Sequence, residues 1–226
     1  MMYEAIISDC DGVLVDSEAI THVILQEELA QVTDINIDPN EILAVQGQTC
    51  RAVILHLSKK YGFDITEDQI KHMIEKVHAA FTHNLPTIDG VHEAFLKLDL
   101  KIAVASNSKV SHIQRAVDLN GLTAKVGANI VSFSMVAHPK PAPDVYLKAA
   151  QMLNVAPEKC LVIEDSVAGA SAGIKAGMTV IGFLGASHLP EGHAEKLVQA
   201  GVSYTIKHMS ELENAILELN EIAKLS

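Results

Sequence analysis

Two aspartates two residues apart, Asp9 and Asp11, follow a short apolar run near the N-terminus. In an extended backbone, residues i and i+2 project to the same side, so both carboxylates can share one small site while Cys10 faces away. Carboxylates that share a site repel each other unless a cation neutralises them, and hard oxygen ligands of this kind suit Mg²⁺. Gly12 then permits a sharp exit of the chain. The spacing therefore predicts an acidic site that binds magnesium.

Three further groups of polar residues stand later in the chain, two of them directly after short apolar runs. They are Ser106-Asn107, Lys140 in the sequence KPAPD, and Glu164-Asp165. Together with the N-terminal sequence DCDGVLVDSE, these groups resemble, in the same order, the signature motifs of the haloacid dehalogenase-like (HAD) superfamily. Phosphatases of this superfamily form an aspartyl-phosphate intermediate. The resemblance extends over the whole length of the chain.

The resemblance implies a role for each residue. Asp9 would attack phosphorus and become the aspartyl phosphate, and Asp11 would act first as acid toward the leaving oxygen and then as base toward water. Ser106 and Asn107 would bind the phosphate, and Lys140 would be a catalytic and phosphate-binding charge beside the nucleophile. The common family pattern has Gly before this Lys. Here a His-Pro dipeptide precedes it, which leaves the path of this loop open.

The resemblance also implies a Mg²⁺ site made by Asp9, Asp11, Glu164 and Asp165. Asp11 would contribute its backbone carbonyl, and Asp165 is expected to be a direct ligand. Glu164 would bind the ion either directly or through water. Capping of the following helix is another role for the Glu164-Asp165 pair, and it is compatible with metal binding.

Short apolar runs rich in Val and Ile predict the buried strands that must position these residues. The runs are Ala5 to Ser8, Ile102 to Ala105, Asn129 to Phe133, Leu161 to Ile163, Val180 to Phe183 and Tyr204 to Ile206. Segments with helical period lie between them, which predicts an α/β fold: a parallel Rossmann-like sheet with helices on both faces. In that architecture, ligands collect beyond the carboxyl ends of the strands, where the polar groups stand.

Residues 16 to 85 contain no convincing strand and fit four helical stretches instead. These are Glu18 to Gln31, Asn40 to Val45, Arg51 to Tyr61 and Glu67 to Thr82. The segment looks like the inserted α-helical cap of many HAD phosphatases, which closes over the substrate and excludes water. We therefore divide the chain into an α/β catalytic core, residues 1–15 and 86–226, and a helical cap, residues 16–85.

The cap is expected to choose the substrate. Gly47 and Arg51 lie at a turn into a helix, where related phosphatases carry specificity residues. Arg51 would contact a second anionic group of the substrate, or it is a solvated surface charge. His188 follows a predicted strand at the same rim and is expected to be a solvated loop residue.

Composition limits the partners of the protein. The formal net charge of -11 is distributed without a basic block, which argues against nucleic acids and anionic membranes as partners. The sequence shows neither a signal peptide nor an apolar run of the roughly 18 residues that cross a membrane, so we expect a cytoplasmic protein. A small phosphorylated metabolite is the expected partner. The oligomeric state stays open, with a monomer favoured.

These observations favour a Mg²⁺-dependent phosphatase that acts on a small phosphate monoester, foremost a sugar phosphate. A phosphosugar mutase of the β-phosphoglucomutase type is an alternative. In that branch a cap histidine is expected at the position of Thr21, whereas His22 would face elsewhere. A haloacid dehalogenase would not need the Glu164-Asp165 pair. A catalytically silent binding module on the same fold is a further alternative.

Overall fold

A computed structural model describes residues 2–45, 48–83 and 85–224 of the chain. Its strands are β1 (Ala5–Ser8), β2 (Lys101–Ser106), β3 (Ile130–Ser132), β4 (Cys160–Glu164), β5 (Thr179–Phe183) and β6 (Tyr204–Ile206). All neighbouring strands are parallel, in the order β3-β2-β1-β4-β5-β6. The six strands lie where the apolar runs predict them, and every strand end agrees within one residue.

The helices of the described chain cover both faces of this sheet. They are α1 (Glu18–Leu29), α2 (Pro39–Ala44), α3 (Cys50–Tyr61), α4 (Glu67–His83), α5 (Val91–Lys97), α6 (Val110–Leu119), α7 (Thr123–Val126), α8 (Asp144–Leu153), α9 (Val167–Lys175), α10 (His193–Gln199) and α11 (Leu212–Lys224). The helical period of residues 110–119, 145–153 and 167–176 predicts α6, α8 and α9, and the structure adds α5, α7, α10 and α11. The predicted α/β fold with helices on both faces is confirmed.

The alternation of side chains along each strand explains why hydrophobic clusters form on both faces of the sheet. Ile6 of β1 belongs to a hydrophobic cluster with residues of α5, α6 and α11, whereas Ile7 belongs to a second cluster with residues of α8, α9 and α10. Because successive side chains of a strand point to opposite faces, a continuous apolar strand supplies both layers. β1 therefore lies in the middle of the molecule, and its carboxyl end is surrounded by neighbouring loops.

Helices α1 to α4 stand between β1 and the rest of the core, and no strand lies among the described residues of this segment. The chain leaves the core at Asp16 and returns beside it, because the Asp16 amide donates a hydrogen bond to the Pro86 carbonyl (2.8 Å). Apolar residues of this segment join the same cluster as one face of the sheet. The division into a core and a cap at residues 16–85 stays a prediction.

Among the described residues, no helix combines the length and the apolarity that crossing a bilayer requires.

Candidate functional site

The predicted site residues gather where three neighbouring strands end. β2 and β4 flank β1, so Ser106, Asp9 and Asp165 stand at adjacent strand ends. The amide of Asp9 donates to the carbonyl of Ile163 (2.9 Å) and continues the pairing of β1 with β4 by one residue. Gly12 has a φ of 80°, and a Cβ there would lie 1.9 Å from Oδ2 of Asp165. Only glycine lets the chain turn this close to Asp165.

Lys140 lies at the centre of this site and is almost completely buried. Its Nζ is 2.7 Å from Oδ1 of Asp9 and 2.6 Å from Oε1 of Glu164, and it stands 4.7 Å from the ring centre of Tyr146. Burial alone would lower the pKa of the ammonium group, but the two carboxylates raise it above its usual value. Lys140 is therefore held as a cation between Asp9 and Glu164.

Asn107 fixes the loop that carries Lys140. Its Oδ1 accepts from the Lys140 amide (2.9 Å), and its Nδ2 donates to the Lys140 carbonyl (3.2 Å). This reciprocal pair determines the loop path that the sequence left open. The side-chain amide of Asn107 thus contacts the loop, and its predicted contact with phosphate stays a prediction.

Both carboxylate oxygens of Glu164 have hydrogen-bond donors. Oε1 accepts from Lys140 and from the Tyr146 hydroxyl (2.9 Å), and Oε2 accepts from the amide and the hydroxyl of Ser166 (each 2.9 Å). A Cβ on Gly169 of α9 would lie 1.5 Å from Oε1, so this glycine leaves the room that the carboxylate occupies. Glu164 is therefore fixed in position, and its fixed carboxylate orients Lys140.

Asp165 differs from Glu164 in this respect. Its Oδ1 is buried and has no hydrogen-bond partner among the described residues. Burial raises the pKa of Asp165, opposed by a hydrogen bond from His188, and repulsion from Glu164 raises it further. Burial and repulsion from Glu164 also raise the pKa of Asp9, although Lys140 opposes this shift. Three carboxyl groups thus share one lysine cation, which leaves negative charge in the cluster for a second cation to neutralise.

The carboxylate oxygens of Asp9, Glu164 and Asp165 fit a divalent cation. One oxygen of each residue lies within 4.8 Å of the others. Hard carboxylate oxygens are the donors that Mg²⁺ and Ca²⁺ prefer, and an unpaired buried oxygen is costly without such a partner. The donor set thus agrees with the predicted metal site.

The Asp11 carboxylate points to a different set of partners. Oδ1 accepts from Ser17 (2.5 Å) and lies 2.7 Å from Nε2 of His112, and Oδ2 accepts from Ser106 (3.1 Å) and Ser108 (2.7 Å). Burial would raise the pKa of Asp11, but the charge of His112 and the bonds from His112, Ser17 and Ser108 lower it below its usual range. Of these partners, only Ser106 belonged to the predicted site.

A cavity of about 270 Å³ lies between the strand ends and helices α1 to α4. Asp9, Asp11, Ser106, Asn107 and Lys140 line it from the core. The catalytic and phosphate-binding residues implied by the resemblance therefore meet at one cavity.

Arg51 lines the same cavity from α3. Its two guanidinium nitrogens each lie 2.6 Å from an oxygen of Glu67, and both side chains are exposed. The structure thus places Arg51 at the cavity but with Glu67 as its partner. Gly47, the other predicted specificity residue, lies outside the described residues.

The sequence-based expectations for two histidines are wrong. His22 lines the cavity next to Thr21, because the two residues precede Leu25 by three and four positions and so belong to the same stripe of α1. His188 is buried, with Nδ1 3.5 Å from Asp16 and Nε2 3.3 Å from Asp165. The loop after β5 folds inward over the carboxylates, so His188 is not solvated.

Comparisons with known proteins found similar sequences and similar solved structures. The family model described as haloacid dehalogenase-like hydrolase matches residues 6–183. The chain is 29% identical over 214 residues to 6-phosphogluconate phosphatase of Escherichia coli K12, which covers 92% of both chains. It also resembles the crystal structure of a conserved haloacid dehalogenase-like protein of unknown function from Agrobacterium tumefaciens, with a TM-score of 0.85, 30% identity and coverage of 96% and 99%. A third similar protein is a HAD family hydrolase from Deinococcus radiodurans with bound phosphate and sodium, with a TM-score of 0.75, 33% identity and 96% coverage of both chains.

Proposed function

Since the chain belongs to the haloacid dehalogenase-like hydrolase family, we propose that it is a phosphatase that hydrolyses a small phosphate monoester, foremost a sugar phosphate, through a phosphorylated Asp9. The observation that carries the proposal is the position of Asp9. It is buried beside the Lys140 ammonium, and it lines the cavity that Asp11, Ser106 and Asn107 share. A carboxylate kept close to a fixed cation at a cavity wall is suited to attack an anionic phosphate.

The reaction would proceed in two displacements. An oxygen of Asp9 forms a bond to phosphorus while the ester P–O bond breaks, and the protonated form of Asp11 gives its proton to the leaving alcohol oxygen and becomes the carboxylate. Water then attacks the phosphorus of the aspartyl phosphate and loses its proton to Asp11. Inorganic phosphate leaves and Asp9 is regenerated. Lys140 stabilises the negative charge on Asp9 and on the phosphoryl oxygens in both steps.

We assign the Mg²⁺ site to Asp9 and Asp165, with Asp11 contributing its backbone carbonyl as the resemblance implies. The buried Oδ1 of Asp165, which has no hydrogen-bond partner in the described chain, supports a direct contact. Glu164 already accepts four hydrogen bonds, which favours an indirect role through Lys140 or water. The ion would neutralise charge on the phosphoryl group when bound.

Helices α1 to α4 would serve as the cap and contact the alcohol portion of the substrate. The cavity volume suits a small metabolite. Polar side chains of Thr21, His22 and Arg51 line its cap side, which suits a substrate with several hydroxyl groups. The E. coli relative, a 6-phosphogluconate phosphatase, supports sugar phosphates as the first class to test.

The position of His22 keeps the mutase alternative open. A cap side chain with a buried nitrogen that lines the cavity could contact a sugar hydroxyl in either reaction. A mutase would convert a sugar 1-phosphate into its 6-phosphate without releasing inorganic phosphate. Product analysis therefore separates the two activities.

The test of the proposal is an assay of phosphate release from a panel of sugar phosphates and from an aryl phosphate. We expect the protein to release phosphate with Mg²⁺ present and to lose this activity in excess chelator. Asp9→Asn should lose the activity on sugar phosphates and on the aryl phosphate alike. Asp89→Asn is the matched control, because the Asp89 side chain is 97% exposed, pairs with His208 and does not line the cavity. Full activity in excess chelator would contradict the metal assignment. Near-native turnover of Asp9→Asn would contradict the covalent mechanism.

A further inference from the structure

His112 contacts the Asp11 carboxyl group, but the two displacements described above give His112 no role. It lies on α6, with its side chain only 5% exposed, and its Nε2 is 2.7 Å from Oδ1 of Asp11. When Asp11 is the carboxylate, it only accepts hydrogen bonds, so Nε2 carries the hydrogen of this contact in that state. A buried imidazole at this distance restricts where the Asp11 carboxylate can point.

The donors to Asp11 come from three separate parts of the chain. Ser17 precedes α1, Ser106 ends β2 with Ser108 two residues after it, and His112 lies in the first turn of α6. Ser17 and His112 both contact Oδ1, so His112 stabilises one of the two carboxylate oxygens. Rotation of the carboxylate about its Cβ–Cγ bond would break these contacts together.

Phe81 of α4 in turn holds the imidazole. The ring centres of Phe81 and His112 are 4.6 Å apart with an interplanar angle of 39°. Three residues after His112, on the next turn of α6, Nε of Arg115 donates a hydrogen bond to the Phe81 carbonyl (3.1 Å). Phe81 is itself buried and lines the cavity. A packed path therefore runs from α4 through His112 to Asp11.

We propose that His112 is a positioning residue that orients the Asp11 carboxylate for proton transfer to the leaving oxygen, and that Phe81 fixes the imidazole for this purpose. The inference rests on the proposed role of Asp11 as general acid. Proton transfer depends steeply on geometry, since a displacement of about 1 Å can cost about 10² in rate. Loss of His112 would remove one of the two donors to Oδ1 and so loosen the orientation of the carboxylate, while the nucleophile Asp9 stays in place.

This role predicts a dependence on the leaving group. An aryl phosphate releases a weakly basic phenolate that needs little protonation, whereas a sugar phosphate releases an alkoxide that needs a proton. The relevant quantity is kcat/KM, because it reports the steps up to the phosphorylation of Asp9. A purely structural defect would lower kcat/KM for both substrates equally.

The experiment compares His112→Ala with Ser111→Ala, a control at an exposed neighbouring position of α6. We expect His112→Ala to lower kcat/KM about 30- to 100-fold for the best sugar phosphate and less than about threefold for an aryl phosphate. Phe81→Leu should show the same substrate dependence with a smaller loss. Ser111→Ala should leave both values unchanged. If His112→Ala does not fold, His112→Asn keeps a polar side chain that is too short for the contact and carries the same comparison.

A double-mutant cycle tests whether His112 acts through Asp11. In an Asp11→Asn background, His112→Ala should cause little further loss on the sugar phosphate. Additive losses, equal losses on both substrates, or an unchanged sugar-phosphate value would overturn the inference. Such a result leaves the proposed function intact if Asp9→Asn still abolishes turnover. Turnover by Asp9→Asn would instead show that the covalent mechanism itself is wrong.

Discussion

Two ion pairs of the same length lie in opposite environments in this molecule. Lys140–Glu164 and Arg51–Glu67 both have a nitrogen–oxygen distance of 2.6 Å. The side chains of the first pair are 1% and 0% exposed, and those of the second are 48% and 72% exposed. Water and salt screen the exposed pair, which therefore contributes little to stability. The buried pair has no such screening, so each partner depends on the other.

The surroundings of the two pairs differ as well. Tyr146 and Ser166 hold Glu164, and Asn107 holds the backbone of Lys140. Within the described parts of the chain, Arg51 and Glu67 form side-chain hydrogen bonds only with each other. The strand ends thus present a preorganised charge arrangement, which chemistry at phosphorus requires. The α3–α4 surface can rearrange at little cost, which suits contacts that vary with the substrate.

The largest predicted effect comes from breaking the buried pair. Lys140→Met leaves Asp9 and Glu164 buried without their cation, and the free energy of unfolding should fall by about 3 to 5 kcal/mol. Turnover should be lost. Denaturant unfolding in the presence of chelator measures the stability, and added Mg²⁺ should stabilise the variant more than the native protein.

Lys159→Met is the matched control for this prediction. Lys159 pairs with Glu4, and both side chains are about half exposed. Its replacement should change the unfolding midpoint little. A Lys140→Met variant as stable as Lys159→Met would show that burial does not distinguish the two kinds of pair.

A smaller effect should follow from moving Glu164 without removing it. Gly169→Ala places a methyl group 1.5 Å from Oε1 of Glu164, so the carboxylate must leave its present contacts. We expect a loss of about 1 to 3 kcal/mol in unfolding free energy and of about 10² in kcat/KM.

Gly173→Ala is the matched change on the same helix. Its methyl group would meet Cγ2 of Val180 at 2.8 Å, which is an apolar contact with the sheet. Alanine favours the helix by about 1 kcal/mol over glycine, which offsets part of the crowding. Stability should change modestly and kcat/KM should not. Equal kinetic losses in both variants would show that α9 packing, and not the position of Glu164, governs activity.

Much of the sheet and of the buried site could be predicted from the sequence because the information is local. Each parallel strand is buried on both faces and therefore reads as a continuous apolar run. Asp9, Ser106 and Asp165 each follow such a run within two residues, and parallel strands bring their carboxyl ends together. Local spacing could also have found α11, because Leu212, Ile216 and Leu219 recur at helical intervals and are buried.

The second set of contacts around Asp11 could not be predicted in this way. The argument from an extended backbone directs Asp11 toward the side of Asp9, but β1 ends at Ser8 and the chain turns at Gly12. His112 meets Asp11 across 101 residues of sequence. Such a contact depends on how α6 packs against the strand ends, and no local pattern encodes it. Ser108, in contrast, stands two residues after Ser106, and this spacing was an available signal.

The smallest predicted effect concerns the exposed pair. Arg51→Ala should leave stability almost unchanged, since solvent screens its contact with Glu67. If the guanidinium also contacts a hydroxyl or a second anionic group of the substrate, kcat/KM for the best sugar phosphate should fall by up to about tenfold. An aryl phosphate lacks such a group and should be hydrolysed at nearly the native rate.

Lys60→Ala is the matched control, because Lys60 forms the same kind of exposed pair with Glu41 but does not line the cavity. A loss for Arg51→Ala alone, and only on the sugar phosphate, would assign substrate choice to this surface. Identical kinetics of the two variants would leave Arg51 as a solvated charge, and the cavity residues of α1 would then be the next candidates for substrate choice.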